Sequence, residues 1–271
     1  MNIKKFAKAT LVDFYTIIFI QEGAGHFHSD GVVYSYQGPS IFFATPFQKI
    51  KLTGKKNSLI SLMQFHGDFY CIEFHKADVA CNGLLFNNVF LSPLVSLSKI
   101  ELKKIVTIWK EITSEVESAE VEKSIVIAYL QLLLARASST KFKQLIKDEL
   151  VIAQEQDMMR LKILIEENYL REHSPSFYAH ILGIPTNTLS KKCTKFFGRS
   201  TSRLIHERII VEAKRRLHLT RQSVKEIAYG MNFKDEFYFS RFFKKNVSLS
   251  PKAFRNSVGI ARIADLSMFN P

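Results

Sequence analysis

The sequence predicts an α+β protein of two domains, with a β-rich N-terminal half and an all-α C-terminal half. Short β-branched and aromatic runs, divided by turn residues, fill residues 10–66, as is typical of antiparallel strands. From about residue 98 onward, apolar residues recur at helical spacing. A length of 271 residues is enough for two domains of roughly 100–150 residues each.

Turn signals in the N-terminal half, such as Gly38-Pro39 and Thr45-Pro46, recur every few residues. This spacing predicts a small antiparallel barrel or sandwich rather than βαβ units. Asp30-Gly31 lies between two β-type runs, where a two-residue hairpin turn with positive φ is expected. We expect a small β-barrel.

Two helices are predicted after the barrel. Apolar residues of the first repeat at intervals of three and four and form one seam: Leu102, Ile105, Trp109, Ile112 and Val116. The second, about 121–136, is apolar on nearly every side and must be covered on several of them. The seam either packs on the barrel or pairs with a second copy of the chain, and the sequence leaves both open. Residues 137–157 are predicted to be a linker.

The net charge of +13 is concentrated in the C-terminal part. Residues 1–159 hold 17 Lys and Arg against 16 Asp and Glu, whereas residues 160–271 hold 21 against 9. A basic domain joined to a neutral one indicates binding to a polyanion. An anionic membrane is the alternative to a nucleic acid, but the longest apolar run, Ile125–Ala135, is too short to span a bilayer. We therefore expect a nucleic-acid partner.

Cysteine usage and the N-terminus bear on the cellular compartment. The three cysteines, Cys71, Cys81 and Cys193, offer no disulfide framework, which favours a reducing compartment. The apolar run near the N-terminus is broken by Asp13, which is not typical of a signal peptide. We expect a cytoplasmic protein.

The C-terminal half repeats itself. Residues 179–184 (AxxxGI) recur 49 positions later as 228–233 (AxxxNF), and residues 189–195 recur 50 positions later as 239–245. Such self-similarity predicts one supersecondary unit used twice.

Each copy carries the local signals of a helix-turn-helix. Ser223 and Glu226 have the spacing of a capping box, and Ser174, followed by proline, is a helix start. Gly183 and Asn232 fall where the turn requires a left-handed residue. We expect two helix-turn-helix units.

The helix after each turn has one apolar and one polar face, and Asp235 is placed to cap the second of these helices. Arg and Lys read guanine edges in a major groove, Asn reads adenine, and Ser accepts or donates. A solvated helix face is the alternative for either copy alone, but two aligned copies in the basic half favour DNA reading. The polar faces hold Asn187, Ser190, Lys191 and Thr194 in the first copy and Glu236, Phe237, Ser240, Arg241 and Lys244 in the second.

A helix of about 18 residues, 201–218, is predicted between the copies. At a rise of about 1.5 Å per residue it spans roughly 27 Å, so the two reading heads are expected about one DNA turn, near 34 Å, apart. Its predicted inner face holds Leu204, Ile205, Ile209 (or Ile210), Ala213 and Leu217. Basic residues in this region are candidates for phosphate contacts: Arg199, Arg203, Lys214, Arg215 and Arg216.

Residues 223–255 resemble the signature of the AraC/XylS family of bacterial regulators. The matching residues are Ser223-Val-Lys-Glu-Ile-Ala, Phe233, Tyr238-Phe-Ser-Arg, Phe243-Lys-Lys, Leu249-Ser-Pro and Phe254-Arg255. Residues 174–198 fit the family's first helix-turn-helix. The resemblance implies a cupin-like barrel with a helical dimerisation region, followed by a DNA-binding domain. The implied domains are 1–136 for regulation and dimerisation, a linker at 137–157, and 158–260 for DNA binding.

Carried over residue by residue, the family's base-reading positions fall on Asn187, Ser190 and Lys191, and on Glu236, Phe237, Ser240 and Arg241. Phosphate contacts are expected from Lys195, Arg199, Lys244 and Lys245. The family usually has Gly where this chain has Asn232 and Ser248. Asn adopts a left-handed turn readily, whereas Ser248 leaves the turn after the last reading helix in question.

The resemblance also implies partners: double-stranded DNA, a second copy of the chain, and RNA polymerase. The N-terminal domain is expected either to bind a small-molecule effector or only to dimerise. No cofactor, bound metal or membrane partner is expected.

A metal-dependent enzyme is a remote alternative. His26 and His28 form an H-x-H pair on one face of a predicted strand, but the following Glu and a nearby third His of the cupin enzyme pattern are missing. His66, Glu73 and His75 stand only after an intervening loop. Cys71 and Cys81 lack paired C-x-x-C spacing, so zinc is a weak interpretation, and redox sensing or burial remain alternatives. We find no catalytic constellation in the sequence and expect no enzyme.

Overall fold

The computed structural model describes residues 6–54, 58–67, 69–70, 84–86, 88–152 and 156–258. The chain divides into two compact units, Met1–Val151 and Ile152–Pro271. Each unit is described by itself.

The N-terminal unit contains eight strands among its described residues, arranged in two four-stranded sheets. They are β1 (Thr10–Leu11), β2 (Tyr15–Glu22), β3 (Ala24–Ser29), β4 (Val32–Gln37), β5 (Ser40–Ala44), β6 (Lys49–Gly54), β7 (Leu59–Phe65) and β8 (Leu94–Ser96). The first sheet has the order β1-β6-β3-β4 and the second β7-β2-β5-β8. All pairings are antiparallel.

The β3–β4 hairpin confirms the strongest local prediction. Ser29 pairs with Val32, which leaves Asp30 and Gly31 as a two-residue loop. Their φ values of 47° and 82° are those that the twist of such a hairpin demands.

The two sheets pack face to face, so the expected small barrel is not closed among the described residues, whereas the alternative of a sandwich fits the two sheets. Phe27 of the first sheet stacks on Phe42 of the second, with ring centroids 4.3 Å apart. Ile18 and Ile50 are buried in the same layer. Alternation along each strand supplies one apolar face per sheet. Packing these faces together buries them without closing the hydrogen-bonded ring.

Helices α1 (Lys99–Glu117) and α2 (Lys123–Ile152) cover the other face of the second sheet. Ile105 and Ile112 of the predicted seam join Phe19 and Leu133 in one core, and Trp109 meets Phe19 at a ring distance of 5.4 Å. Most of the seam therefore packs on the sheet, although Val116 at its end is exposed.

The predicted end of the second helix near residue 136 is wrong, because α2 continues to Ile152. Residues 137–152 of the predicted linker are therefore helical. Ala137 and Ser138 are fully buried, and the buried Lys141 donates from Nζ to the Leu94 carbonyl at 2.7 Å. The hydrogen bond from Lys141 to β8 stabilises the helix beyond the apolar stretch that the sequence pattern indicates.

The C-terminal unit consists of helices among its described residues. They are α3 (Gln156–Asn168), α4 (Pro175–Leu182), α5 (Thr186–Phe197), α6 (Thr201–Leu219), α7 (Val224–Gly230), α8 (Glu236–Val247) and α9 (Pro251–Val258). Helix α6 packs against α4 and α5 as well as α7, α8 and α9. Its whole predicted inner face is buried. Among the described residues, no helix is both long and apolar enough to cross a membrane.

Candidate nucleic-acid interface

Helices α4 and α5, here called the first helix pair, are joined by a short turn with the predicted local structure. Ser174 accepts a hydrogen bond from the Ser176 amide and caps α4, with Pro175 in its first turn. Gly183 ends α4 at φ 67° in the left-handed region. This turn allows α5 to begin at Thr186, only three residues later.

Helices α7 and α8, the second helix pair, repeat this construction. Ser223 and Glu226 form both hydrogen bonds of a capping box, and Asn232 in the turn has φ 59°. The Asp235 carboxylate accepts from the Tyr238 amide at 2.6 Å and caps α8. Each of these local predictions is confirmed.

The helix that follows each turn has an apolar face directed into the unit. On α5, Leu189 and Cys193 are fully buried. Burial raises the pKa of the Cys193 thiol, and a hydrogen bond from Thr201 partly opposes this, so the thiol stays protonated and unreactive. On α8, Phe239 and Phe243 are buried.

The predicted base-reading residues lie on the opposite faces of α5 and α8. Asn187, Ser190 and Lys191 are spaced by three and one residues. Glu236, Phe237, Ser240 and Arg241 are spaced by one, three and one, so each set shares one side of its helix. Most of them are exposed, and Ser190, Glu236 and Ser240 are half-buried. The equivalent positions, 50 residues apart, are Asn187 and Phe237, Ser190 and Ser240, Lys191 and Arg241, and Thr194 and Lys244.

Three of the predicted phosphate-contacting residues are exposed. Lys195 is in the last turn of α5, and Lys244 and Lys245 are in the last turn of α8. Cations there also interact favourably with the partial negative charge of a helix C-terminus. Their positions therefore suit both helix stability and an anionic partner.

Arg199 differs from these lysines, because its side chain is only 10% exposed and pairs with Glu207, Nε to Oε2, at 3.1 Å. Arg203 pairs with the same carboxylate at 2.8 Å. Engagement inside the unit argues against the predicted phosphate contacts of both arginines.

Glu212 on α6 is an acid that the sequence reasoning passed over. It is 5% exposed and accepts hydrogen bonds from Arg215 at 2.7 and 2.9 Å and from Arg216 at 2.8 Å. Burial acts to raise the pKa of Glu212, but these bonds outweigh it and hold the pKa below its usual value. Arg215 and Arg216 are therefore engaged in an internal ion-pair network with Glu212. The i, i+3 and i+4 spacing was its signal in the sequence.

The N-terminal histidines share the outer side of the first sheet. His26 is exposed and lies 3.2 Å from the Ser35 hydroxyl through Nδ1, and His28 is half-buried, whereas the intervening Phe27 points into the core. Over the part of the chain that the structure describes, no three His, Cys, Asp or Glu side chains converge as a metal site. Cys71, Glu73, His75 and Cys81 lie outside the described residues.

Comparison with known proteins finds similarity concentrated in the C-terminal unit. A family model described as a helix-turn-helix domain matches residues 178–257. The transcriptional activator RhaS of Pectobacterium carotovorum is 29% identical over 92 residues, which are 34% of this chain and 33% of that protein. The aligned part thus spans about a third of that relative.

Two weaker similarities extend the comparison. RhaS of an Enterobacter species is 23% identical over 260 residues, covering 90% of this chain and 85% of that protein. The C-terminal domain of the response regulator yesN from Fusobacterium nucleatum is 28% identical, with a TM-score of 0.35 over 36% of this chain and 96% of that one. The matched segment begins in α4, ends in α9 and includes the residues that resemble the AraC/XylS signature. Residues 178–257 therefore match the family of helix-turn-helix domains that this model describes.

Proposed function

We propose that this protein is a sequence-specific, double-stranded-DNA-binding transcription regulator, in which α5 and α8 each enter a major groove. One observation carries the proposal: α8 presents Phe237, Ser240, Arg241 and Lys244 along one side, in a domain of the AraC type with a large excess of positive charge. Both helix pairs act as helix-turn-helix units.

In the second helix pair, Arg241 is the guanine reader, because a guanidinium donates to both guanine acceptors at once. Phe237, 68% exposed, is suited to a thymine methyl group, and Glu236 to the amino group of cytosine. Ser240 donates or accepts as the neighbouring base requires.

In the first helix pair, Asn187 reads adenine and Lys191 guanine, with Ser190 between them. Lys195, Lys244 and Lys245 contact phosphates. Arg199 is left out of this set because its side chain is engaged by Glu207.

The test begins by selecting duplexes bound by the full chain from a random library, and then measures affinity at several salt concentrations. Binding should weaken steeply with salt through counterion release. Arg241→Ala should reduce discrimination at one base position by about 1–3 kcal/mol. The matched Lys244→Ala, one turn away, should weaken binding to all sequences and lower the salt slope by about one. An equal loss on every sequence for Arg241→Ala would refute its base-reading role.

We propose further that residues 1–136 regulate or assemble the protein and that the chain acts as a homodimer. Five exposed residues of α2 follow one another after four, seven, three and four residues, which places them on one side of the helix at the heptad period at which two helices pair: Ala128, Leu132, Ser139, Phe142 and Ile146. Leu132→Lys should shift the sedimentation of the full chain toward the monomer. Ile163→Lys, at an exposed apolar position of α3, should not.

Control by a small-molecule effector and contact with RNA polymerase complete the proposed function. A thermal-shift screen against metabolites tests the effector. If no compound raises the melting temperature while the protein dimerises and binds DNA, the N-terminal unit serves assembly alone.

A further inference from the structure

The loop between α3 and α4 contacts the turn of the second helix pair, although it belongs to the chain on the other side of α6. Asn232 donates from Nδ2 to the Arg171 carbonyl at 2.8 Å, across 61 residues of sequence. Beside it, the His173 ring meets the Phe233 ring at a centroid distance of 4.8 Å. These two contacts are called the clasp.

On one side, the clasp is attached to the first helix pair. The buried Tyr178 of α4 donates its hydroxyl to the Glu172 carbonyl at 2.8 Å. At the start of the same loop, the Tyr169 ring lies under the Arg208 guanidinium, 3.8 Å from its carbon to the ring centroid. The loop therefore follows α4 and α6 when they move.

On the other side, the clasp reaches the back of α8. Phe233 is 4% exposed, and its ring lies 5.1 Å from Phe239 and 5.3 Å from Phe242, centroid to centroid. A displacement of the loop is passed through Phe233 to the apolar face of the reading helix. Because cores are closely packed, such contacts transmit displacement rather than absorb it.

The backbone conformation at position 232 does not require the amide side chain of Asn232. A residue at φ 59° can be glycine, which adopts the left-handed region without steric cost. Only a side chain with a donor can reach the Arg171 carbonyl. The amide therefore adds a direct connection between the two helix pairs, in parallel with α6.

We propose that the clasp, through Asn232 and His173, determines the spacing of the two DNA half-motifs that one chain reads. This inference rests on the proposed function. With α6 as the sole connection, bending of one helix would let α5 and α8 adjust to a changed spacing. With the clasp closed, that adjustment requires breaking the Asn232–Arg171 hydrogen bond and moving His173 off Phe233.

The experiment uses the full chain and the duplex that the wild-type protein enriches from a random library. One base pair is inserted or deleted between the two half-motifs, which turns one half-motif by about 34° relative to the other, since a helical turn takes about 10.5 base pairs. The measured quantity is the ratio of Kd for the altered duplex to Kd for the selected one. We compare the wild type with Asn232→Gly and Asn232→Asp.

The wild type should bind the altered duplex markedly more weakly. In Asn232→Gly the ratio should fall by about fivefold, the equivalent of one net hydrogen bond that no longer has to be broken. Asn232→Asp, which keeps a side chain but removes the donor, should lower it similarly. Ser248→Gly, the matched control at another left-handed position, should keep the wild-type ratio.

A wild-type ratio in both Asn232 variants would overturn the inference while leaving the proposed function intact. The same holds if the wild type binds the altered and selected duplexes equally. If the wild type enriches no duplex at all, the proposed function itself is wrong.

Discussion

Two non-glycine residues of the second helix pair adopt the left-handed conformation, and replacing each by glycine should change stability in opposite directions. Ser248 ends α8 at φ 68°, and its backbone N–H donates to the Lys244 carbonyl at 2.8 Å. Asn232 has φ 59° and donates from its side chain to Arg171. The backbone is similar at both positions, whereas the role of the side chain differs.

At Ser248, glycine removes the steric cost of a left-handed L-residue, about 1–2 kcal/mol. Glycine also raises the conformational entropy of the unfolded chain, which lowers the free energy of unfolding by about 0.4–1 kcal/mol. Because the cap bond is made by the backbone, glycine keeps it. The free energy of unfolding should therefore rise by about 0.5–1 kcal/mol.

At Asn232 the strain to be relieved is smaller, because Asn tolerates the left-handed region better than other side chains. The entropic loss is the same, and the hydrogen bond to Arg171, about 1 kcal/mol, is lost as well. Asn232→Gly should therefore lower the free energy of unfolding by about 1 kcal/mol. The two variants then differ by close to 2 kcal/mol.

The assay is urea unfolding of the full chain, followed by far-ultraviolet circular dichroism and by amide hydrogen exchange in the C-terminal unit. Equal slopes with respect to urea are required, so that midpoint differences report stability. A destabilised Ser248→Gly, or an Asn232→Gly as stable as the wild type, would refute this reasoning about side chains at left-handed positions.

The caps and buried ionisable groups of the C-terminal unit lead to three more expectations. Ser223→Ala removes the capping box and should cost about 1 kcal/mol, whereas Ser202→Ala, on an exposed face of α6, should change stability by less than about 0.5 kcal/mol. Burial lowers the pKa of His173 and His206, because it favours their neutral forms. Their contribution to the free energy of unfolding is therefore complete above about pH 6.5 and declines as the pH falls toward their folded pKa values. Urea unfolding at several pH values in this range measures how steeply the free energy of unfolding depends on pH, and His206→Gln should reduce that dependence. The lowered pKa of Glu212 stabilises the folded state at pH values above 4.5, the usual pKa of a glutamate, and this stabilisation is lost as the pH falls through the folded pKa. In the same assay, Glu212→Gln should make the free energy of unfolding less dependent on pH in this acidic range.

Sequence patterns predicted the features that depend on neighbouring residues. The Asp30-Gly31 hairpin, the capping box at Ser223 and the left-handed turns at Gly183 and Asn232 have the expected geometry. The buried face of α6 also follows its helical period. Each of these signals operates over two to four residues or along one helix, so nothing distant is needed to interpret it.

Long-range contacts account for the differences. Helix α2 extends to Ile152, and within this extension Lys141 donates to the Leu94 carbonyl, 47 residues away. The strands form two sheets, since a run of strands does not specify which edges pair. The sequence predicted that Arg199 and Arg215 contact phosphates, whereas in the folded unit they pair with Glu207 and Glu212.

The amino-acid sequence alone determined the repeated helix pairs, their caps and turns, and the identity of the residues on their polar faces, because helical period and capping are local. Only the tertiary structure decided which arginines are engaged internally and that Asn232 contacts Arg171. Those choices depend on which side chains meet after the chain has folded back on itself, and residues 61 positions apart carry no local signal of their contact.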